Sequence, residues 1–243
     1  MQKRIRRFGQ LLCLIVLYAL LAVPAVYAQD VVTPDSINNG QRIFLPVIAG
    51  GGNATIEAAA AADDLIITGV IDGPLSGGLP KAVEFYAVND IPDLSIYGFG
   101  SANNGGGTDG EEFTFPADSV IAGTFIYVAT ETTGFTSFFG FSPTYINGNA
   151  PNINGDDAIE LFTNGVVSDI FGDIAVDGTG EPWEHTDGWV YRNDGTGPDG
   201  STFTLGNWSF SGVDALDGET TNAGATTPFP IGTYSPSTTP PPV

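Results

Sequence analysis

Residues 154–173 read NGDDAIELFTNGVVSDIFGD, and this segment constrains the fold more than any other part of the chain. Two apolar runs, at residues 158–162 and 166–171, flank the pair Asn164-Gly165. A two-residue type I′ turn needs a positive φ at both positions, which Asn and Gly tolerate best. The segment therefore predicts a β-hairpin whose turn fixes the pairing register of its two strands.

Most of the chain after residue 64 also predicts strands, because short segments rich in β-branched and aromatic residues alternate with turns. The turns draw on 33 Gly and 17 Pro, and a helical period is evident only in an Ala-rich run at residues 58–62. The further strands are predicted at residues 65–70, 82–88, 93–97, 112–115, 124–128, 189–192, 203–205 and 208–210. Many short strands separated by such turns are typical of an antiparallel β-sandwich.

Residues 1–28 have the layout of a secretory signal peptide. Four basic residues precede an apolar core at residues 11–23, and residues 26–28 form a small-residue cleavage site. The core is shorter than the roughly 20 residues that span a bilayer, and Pro24 interrupts it. Cys13, the only cysteine, lacks the small residues that precede a lipidated cysteine. We therefore predict a secreted or cell-surface protein with no transmembrane segment in the mature chain.

The chain is strongly acidic, with a formal charge of −21. Four of its seven basic residues lie in the predicted signal peptide, so the mature chain keeps only Arg42, Lys81 and Arg192. Such a charge repels a phosphate backbone, which argues against nucleic acid as a partner of the bare domain. Cations match it better, and the same charge also keeps a protein soluble outside the cell.

The strand-rich region at residues 65–234 is predicted as one domain, with connecting segments on either side. Residues 29–64 are interpreted as a linker or N-terminal extension, because an apolar segment at residues 42–48 is followed by Gly and Ala runs. That apolar segment has two alternative roles, an edge strand that tolerates Pro46 and a peptide that contacts the cell envelope. Residues 235–243 are rich in Pro and Thr and predict a linker or a disordered tail.

Five short motifs follow one another in the order and rough spacing of a known family. They are residues 65–70 (LIITGV), 81–86 (KAVEFY), 93–97 (DLSIY), 113–116 with 121–128 (FTFP, IAGTFIYV) and 155–162 with 165–169 (GDDAIELF, GVVSD). The series resembles the bacterial lamin-tail-like domain over residues 65–234. The resemblance implies an all-β, immunoglobulin-like antiparallel β-sandwich, here with long Gly-rich insertions at residues 98–110 and 178–200.

The resemblance also implies a type of function. Bacterial members of that family are often attached to secreted nucleases, phosphoesterases or surface proteins, which suggests an accessory module. We therefore expect a monomeric, non-catalytic binding or structural module whose partner is a surface polymer, a carbohydrate or a protein. The alternatives are an extracellular hydrolase or its accessory domain, and a calcium-dependent carbohydrate-binding module.

Residues 173–184 partly match the calcium-loop template D-x-[DN]-x-[DN]-G-x5-E. Acidic residues occupy its first, fifth, ninth and twelfth positions: Asp173, Asp177, Glu181 and Glu184. Ala175 offers no side-chain oxygen at the third position, and Pro182 argues against a following helix. We predict a weak, stand-alone calcium site, and the alternative is an acidic surface loop whose carboxylates face water.

Other polar and aromatic residues give weaker indications of a site. Asp156-Asp157 and Glu111-Glu112 are adjacent pairs, and neighbours on a strand point to opposite faces, so neither pair converges on one substrate atom.

His185, the sole histidine, has no cysteine or second histidine to share a usual zinc site, and we expect it to face solvent in a loop. Three Trp residues and one Tyr form either a sugar-stacking platform or, as we favour, part of the core. They are Trp183, Trp189, Trp208 and Tyr191.

Overall fold

The computed structural model describes residues 64–236 and two short strands before them, β1 (Ile37–Asn38) and β2 (Gln41–Arg42). β1 and β2 pair antiparallel with each other and belong to a separate unit of the chain. The predicted signal peptide, most of the predicted linker and residues 237–243 of the predicted tail lie outside the described residues. All further elements belong to the second unit and lie within residues 64–236.

This second unit contains ten strands in two sheets and one α-helix, α1 (Thr132–Phe139). The strands are β3 (Leu65–Leu75), β4 (Leu79–Ala87), β5 (Tyr97–Ala102), β6 (Phe113–Thr114), β7 (Phe125–Ala129), β8 (Tyr145–Ile146), β9 (Ala158–Thr163), β10 (Val166–Phe171), β11 (Gly188–Arg192) and β12 (Trp208–Phe210). One sheet has the order β12-β11-β3-β4-β7-β8, and the other has the order β10-β9-β5-β6. Every pair is antiparallel except β7 with β8. The prediction of a mostly β protein with two antiparallel-rich sheets is thus confirmed.

The predicted hairpin is formed by β9 and β10. Thr163 pairs with Val166 across the turn, where Asn164 has a φ of 51° and Gly165 a φ of 77°. Both central residues are therefore left-handed, as a type I′ turn requires. A register shift between Val167 and Asp169 places a bulge in β10. A bulge re-aims the side chains that follow it, and Asp169 is fully buried.

Two apolar clusters pack against opposite faces of the six-stranded sheet. The first cluster combines residues of both sheets, including Ile67 of β3 and Leu161 of β9, and is the interior of the sandwich. The second cluster lies on the outer face, where α1 and residues near the C-terminal end of the described chain cover β3, β4 and β11. β3 and β4 are buried over almost their whole length. Their continuous apolar sequences follow from this coverage on both faces.

The structure corrects three sequence expectations about secondary structure. The strand predicted at residues 93–97 is a 3₁₀ turn at Leu94–Ile96, because the Asp93 carboxylate accepts a hydrogen bond from the Ser95 N–H at 3.0 Å. The strand β5 begins only at Tyr97 and continues into residues predicted as a Gly-rich insertion. Residues 203–205 do not form a strand, since a 3₁₀ turn begins at Leu205.

The glycines of β5 serve close packing rather than a loop. A Cβ on Gly98 would lie 2.2 Å from Cδ of Glu111, and one on Gly100 would lie 2.2 Å from the carbonyl oxygen of Gly110. A side chain at either position would therefore displace the segment that runs beside β5. Packing of this kind is set by the folded chain and has no signature in the local sequence.

The helix α1 was not predicted from the sequence and is only eight residues long. Glu131 caps its N-terminus by accepting hydrogen bonds from the N–H groups of Gly134 and Phe135. Gly140 ends the helix in a left-handed conformation with a φ of 83°. Two turns are too few to establish a 3.6-residue period in the sequence. No helix among the described residues is long and apolar enough to cross a membrane.

Candidate functional site

The four predicted calcium ligands lie in the loop between β10 and β11, and three of them form local turns. Asp173 Oδ1 accepts a hydrogen bond from the Ala175 N–H at 2.9 Å, and Asp177 Oδ1 accepts one from the Thr179 N–H at 3.0 Å. Glu184 Oε2 accepts one from the Gly180 N–H at 2.6 Å, while Glu181 is exposed. The Thr179 bond lowers the pKa of Asp177. Calcium binding by Asp173, Asp177, Glu181 and Glu184 stays a prediction.

Three further loops pack against this one. The Gly178 N–H donates to the Asp156 carbonyl at 3.0 Å, and the Gly107 N–H donates to the Ile174 carbonyl at 2.9 Å. The Asp214 N–H donates to the Thr186 carbonyl at 2.9 Å. We call residues 103–110, 154–157, 173–187 and 211–219 the acidic loop cluster. It contains eleven acidic residues and no Lys or Arg, so its field attracts cations and repels anions.

Asp157 is the buried anchor of the acidic loop cluster. Its Oδ1 accepts a hydrogen bond from the Asn104 N–H at 2.9 Å, and its Oδ2 accepts one from the Asn154 N–H at 3.0 Å. Burial raises the pKa of Asp157, and the two N–H groups oppose that rise. Because both oxygens are occupied by the backbone, Asp157 holds two loops together and is not free to act on a substrate.

A cavity of about 180 Å³ adjoins the acidic loop cluster at the end of β10. Its walls combine a carboxylate, two hydroxyl groups, an aromatic ring and aliphatic side chains. They are Ile170, Gly172, Asp173, Ile174, Ser201, Thr202 and Phe203. Pockets that enclose drug-sized ligands measure roughly 300–1,000 Å³, so this one suits a smaller group such as a single sugar unit. An aromatic ring beside hydrogen-bonding groups matches the apolar and polar faces of a sugar.

A second possible ion-binding group lies in the same cluster. Asp187, Asp214 and Asp217 each place one carboxylate oxygen within 4.8 Å of the others, and no other such trio of acidic, His or Cys residues occurs in the described chain. Burial and the charges of Asp217 and Asp214 raise the pKa of Asp187. Carboxylate oxygens are the ligands that calcium prefers. This trio was not predictable from the sequence, because its members come from two loops that no spacing template spans.

Residues 64–236 contain two basic residues, Lys81 and Arg192, and both are buried in ion pairs. Arg192 donates two hydrogen bonds of 2.8 Å to Asp169, and its second terminal nitrogen lies 3.4 Å from Asp199. Lys81 Nζ lies 2.5 Å from Asp72 Oδ1 and also donates to the Ile153 carbonyl. The surface of residues 64–236 therefore carries no exposed Lys or Arg, and the exposed charged residues in that range are all acidic.

His185 and the large aromatic residues belong to the core. The expectation that His185 faces solvent was wrong, because its side chain is 0% exposed and packs 5.4 Å from the Phe171 ring. Its Nδ1 lies 3.2 Å from the Trp183 carbonyl oxygen, and burial lowers its pKa to about 4. The three Trp residues and Tyr191 are buried, so core packing is confirmed over a sugar platform at these positions.

Comparison of the chain with protein-family models, with curated proteins and with solved structures finds no match in any of the three. The arrangement of the residues is therefore the basis for a functional proposal. The main features of that arrangement are the acidic loop cluster, the small polar cavity beside it, and a core in which Lys81 and Arg192 are both paired with carboxylates.

Proposed function

We propose that the protein is an exported, non-catalytic binding module of the cell surface or extracellular space, with a lamin-tail-like, immunoglobulin-like sandwich. The observation that carries the proposal is the separation of its charges. Lys81 and Arg192 are buried in ion pairs, whereas acidic residues crowd the loops around the cavity at the end of β10. The buried charges are engaged in ion pairs inside the domain. The exposed acidic residues remain available to a partner.

The chemistry of the cavity favours a neutral, hydroxyl-rich ligand. Asp173, Ser201 and Thr202 supply hydrogen-bonding groups, and Phe203 supplies an aromatic surface. An anionic polymer such as nucleic acid would meet the acidic loop cluster and be repelled. A carbohydrate of the cell surface is the partner class that fits both the cavity and the charge.

A calcium-dependent form of carbohydrate binding is the second candidate. It is favoured by the trio Asp187, Asp214 and Asp217, which lies in the same loop cluster as the cavity. In that case an ion would order the loops that surround the cavity. Binding would then be lost in a chelator and restored by calcium but less by magnesium, which demands a stricter octahedral geometry.

The test is retention of cell-envelope polysaccharide on the immobilised protein. We expect the wild type to retain a polysaccharide fraction, and we expect Asp173→Ala combined with Ser201→Ala to lose it. Asp90→Asn is the matched control, because it removes one exposed charge outside the acidic loop cluster. No retention by the wild type, or equal retention by the cavity variant, would contradict the proposal.

Two further experiments distinguish binding from hydrolysis and test whether the protein is exported. Turnover of a polysaccharide or nucleic-acid panel that Glu184→Gln or Asp177→Asn abolishes would establish the hydrolase alternative, and we expect no turnover. Deletion of residues 1–28 should leave the protein inside the cell, because the predicted signal would then be missing.

A further inference from the structure

The last described residues of the domain cross the outer face of the six-stranded sheet. The Phe229 ring contacts the rings of Trp189 and Tyr191, with centroid distances of 6.1 and 5.3 Å. The Tyr234 ring lies 5.3 Å from the Tyr86 ring. We call residues 229–235 the C-terminal strap. It covers part of the second apolar cluster and continues directly into the Pro- and Thr-rich tail, which begins at residue 235.

Glu84 of β4 is the polar centre beneath the strap and is only 2% exposed. Its Oε2 accepts a hydrogen bond from the Gly232 N–H at 2.7 Å. Its Oε1 accepts hydrogen bonds from the Thr68 hydroxyl at 2.8 Å and from the Tyr191 hydroxyl at 2.7 Å, and the Tyr127 hydroxyl also bonds the carboxyl group. One carboxyl group thus connects strands β3, β4, β7 and β11 with the strap.

Tyr191 provides a second connection at the same point. Its hydroxyl oxygen accepts hydrogen bonds from the N–H groups of Thr233 at 3.0 Å and Tyr234 at 2.9 Å. Three consecutive strap N–H groups, at residues 232–234, therefore donate hydrogen bonds either to Glu84 or to the Tyr191 hydroxyl that is bonded to Glu84. The groups that face Glu84 from β3, β7, β11 and the strap are hydroxyls and an amide, and none carries a positive charge that would balance an ionised carboxylate.

We propose that Glu84 and the C-terminal strap form a pH-dependent latch, in which the strap is held against the sheet while Glu84 is protonated and loosens when the carboxylate ionises. An open strap adds residues 229–235 to the chain that leads into the tail. It also uncovers the side chains of Trp189 and Tyr191. The latch would therefore change both the reach of the tail and the exposure of an aromatic surface.

The direction of the pH dependence follows from burial. Burial raises the pKa of Glu84 from 4.5 to about 7, although the hydrogen bonds to the carboxyl group oppose the rise. Opening the strap admits water and returns the pKa toward its ordinary value, so the closed state binds the proton more tightly. The stabilisation of the closed strap by protonated Glu84 is thus fully present below about pH 4.5, and it is lost as the pH rises through about 7. Between pH 5 and pH 8 the open-to-closed ratio should rise by about 70-fold.

The test is hydrogen exchange of the full chain at pH 5 and pH 8, read at the amides of residues 232–234. The Ile67 amide serves as an internal reference, because its bond to Asp169 lies in the core and is independent of the strap. After correction for intrinsic exchange, protection of the strap amides should fall by about 70-fold from pH 5 to pH 8. The strap amides should also exchange faster than the Ile67 amide at both pH values, because the strap opens without unfolding of the core. In Glu84→Gln, which cannot ionise, the strap amides should show no such change.

Two results would overturn the latch. One is an equal pH dependence in the wild type and in Glu84→Gln. The other is equal protection of the strap amides and the Ile67 amide, which would mean that the strap exchanges only when the whole domain unfolds. Should Glu84→Gln fail to fold, Tyr191→Phe keeps the ring that packs on Phe229 and removes the hydroxyl. Its Thr233 and Tyr234 amides should then exchange faster at both pH values, while Gly232 keeps its pH dependence. Loss of that dependence at Gly232 would also contradict the proposal.

Discussion

Arg192 of β11 donates two 2.8 Å hydrogen bonds to Asp169 of β10, and this pair joins the two sheets through the core. Ile67 of β3 completes the arrangement, because its N–H donates to Asp169 at 2.8 Å and its carbonyl accepts from Nε of Arg192 at 2.5 Å. The guanidinium carbon also lies 4.2 Å from the centre of the Trp208 ring. Both members of the pair are fully buried. The pair and the backbone of Ile67 thus form one buried hydrogen-bond network that connects β3, β10 and β11.

Arg192→Met should therefore be strongly destabilising. The substitution leaves the carboxylates of Asp169 and Asp199 buried without their cation, and breaking such a pair costs about 3–5 kcal/mol. Urea unfolding followed by tryptophan fluorescence measures the change in the free energy of unfolding. The double variant Arg192→Met with Asp169→Leu should recover part of the loss, because it replaces the pair with apolar side chains. A single-variant loss below about 1 kcal/mol would contradict this account.

Gly165→Ala tests the turn of the β9–β10 hairpin. Gly165 has a φ of 77°, and a Cβ in the left-handed region costs about 1–2 kcal/mol. Gly148→Ala is the matched control, since Gly148 is exposed and a Cβ there meets no atom within 4 Å. Thermal unfolding should show a lower midpoint for Gly165→Ala only, and equal midpoints for both variants would rule out the turn as the cause.

His185 should make the domain less stable in acid. Its pKa is lowered to about 4 in the folded state from an ordinary value of 6.5, so below pH 6.5 the unfolded chain binds a proton that the folded chain excludes. Its contribution is therefore intact above about pH 6.5 and is lost as the pH falls toward 4, by about 3 kcal/mol in total. His185→Phe keeps a ring beside Phe171 and lacks this titration. Unfolding free energies of the two proteins between pH 7.5 and 4 should diverge, and parallel curves would mean that His185 is not responsible.

Calcium should raise the melting temperature through the loop of residues 173–184. Calcium at ten times its dissociation constant stabilises the folded state by about 1.4 kcal/mol, which is a shift of a few degrees for a domain of this size. Asp177→Ala should lose the response, whereas Asp214→Ala should keep it. The opposite pattern would assign the ion to Asp187, Asp214 and Asp217. Equal shifts in the melting temperatures of the wild type and Asp177→Ala would mean that calcium only screens the surface charge and does not bind this loop.

The sequence by itself determined the features that depend on a few neighbouring residues. The β9–β10 hairpin was predictable because Asn164 and Gly165 are the residues that adopt its positive φ values, and because the flanking apolar runs suit buried strands. The β3 and β4 strands were predictable from their β-branched and aromatic content. The local sequence failed at β5, where Gly98 and Gly100 indicate a loop unless the approach of Glu111 and Gly110 is known.

Only the tertiary structure decided which polar residues are buried and which ones meet. His185 enters the core because Phe171 and the Trp183 carbonyl surround it. The pKa of Glu84 is raised because the surrounding strands and the strap bury its carboxyl group. Asp187 meets Asp214 and Asp217 because the Asp187 carbonyl accepts a 2.9 Å hydrogen bond from the Leu216 N–H. Burial and electrostatic coupling act through space, between residues that are far apart in the chain. A local pattern specifies strands and turns, but it carries no information about the neighbours that set the pKa or the exposure of a side chain.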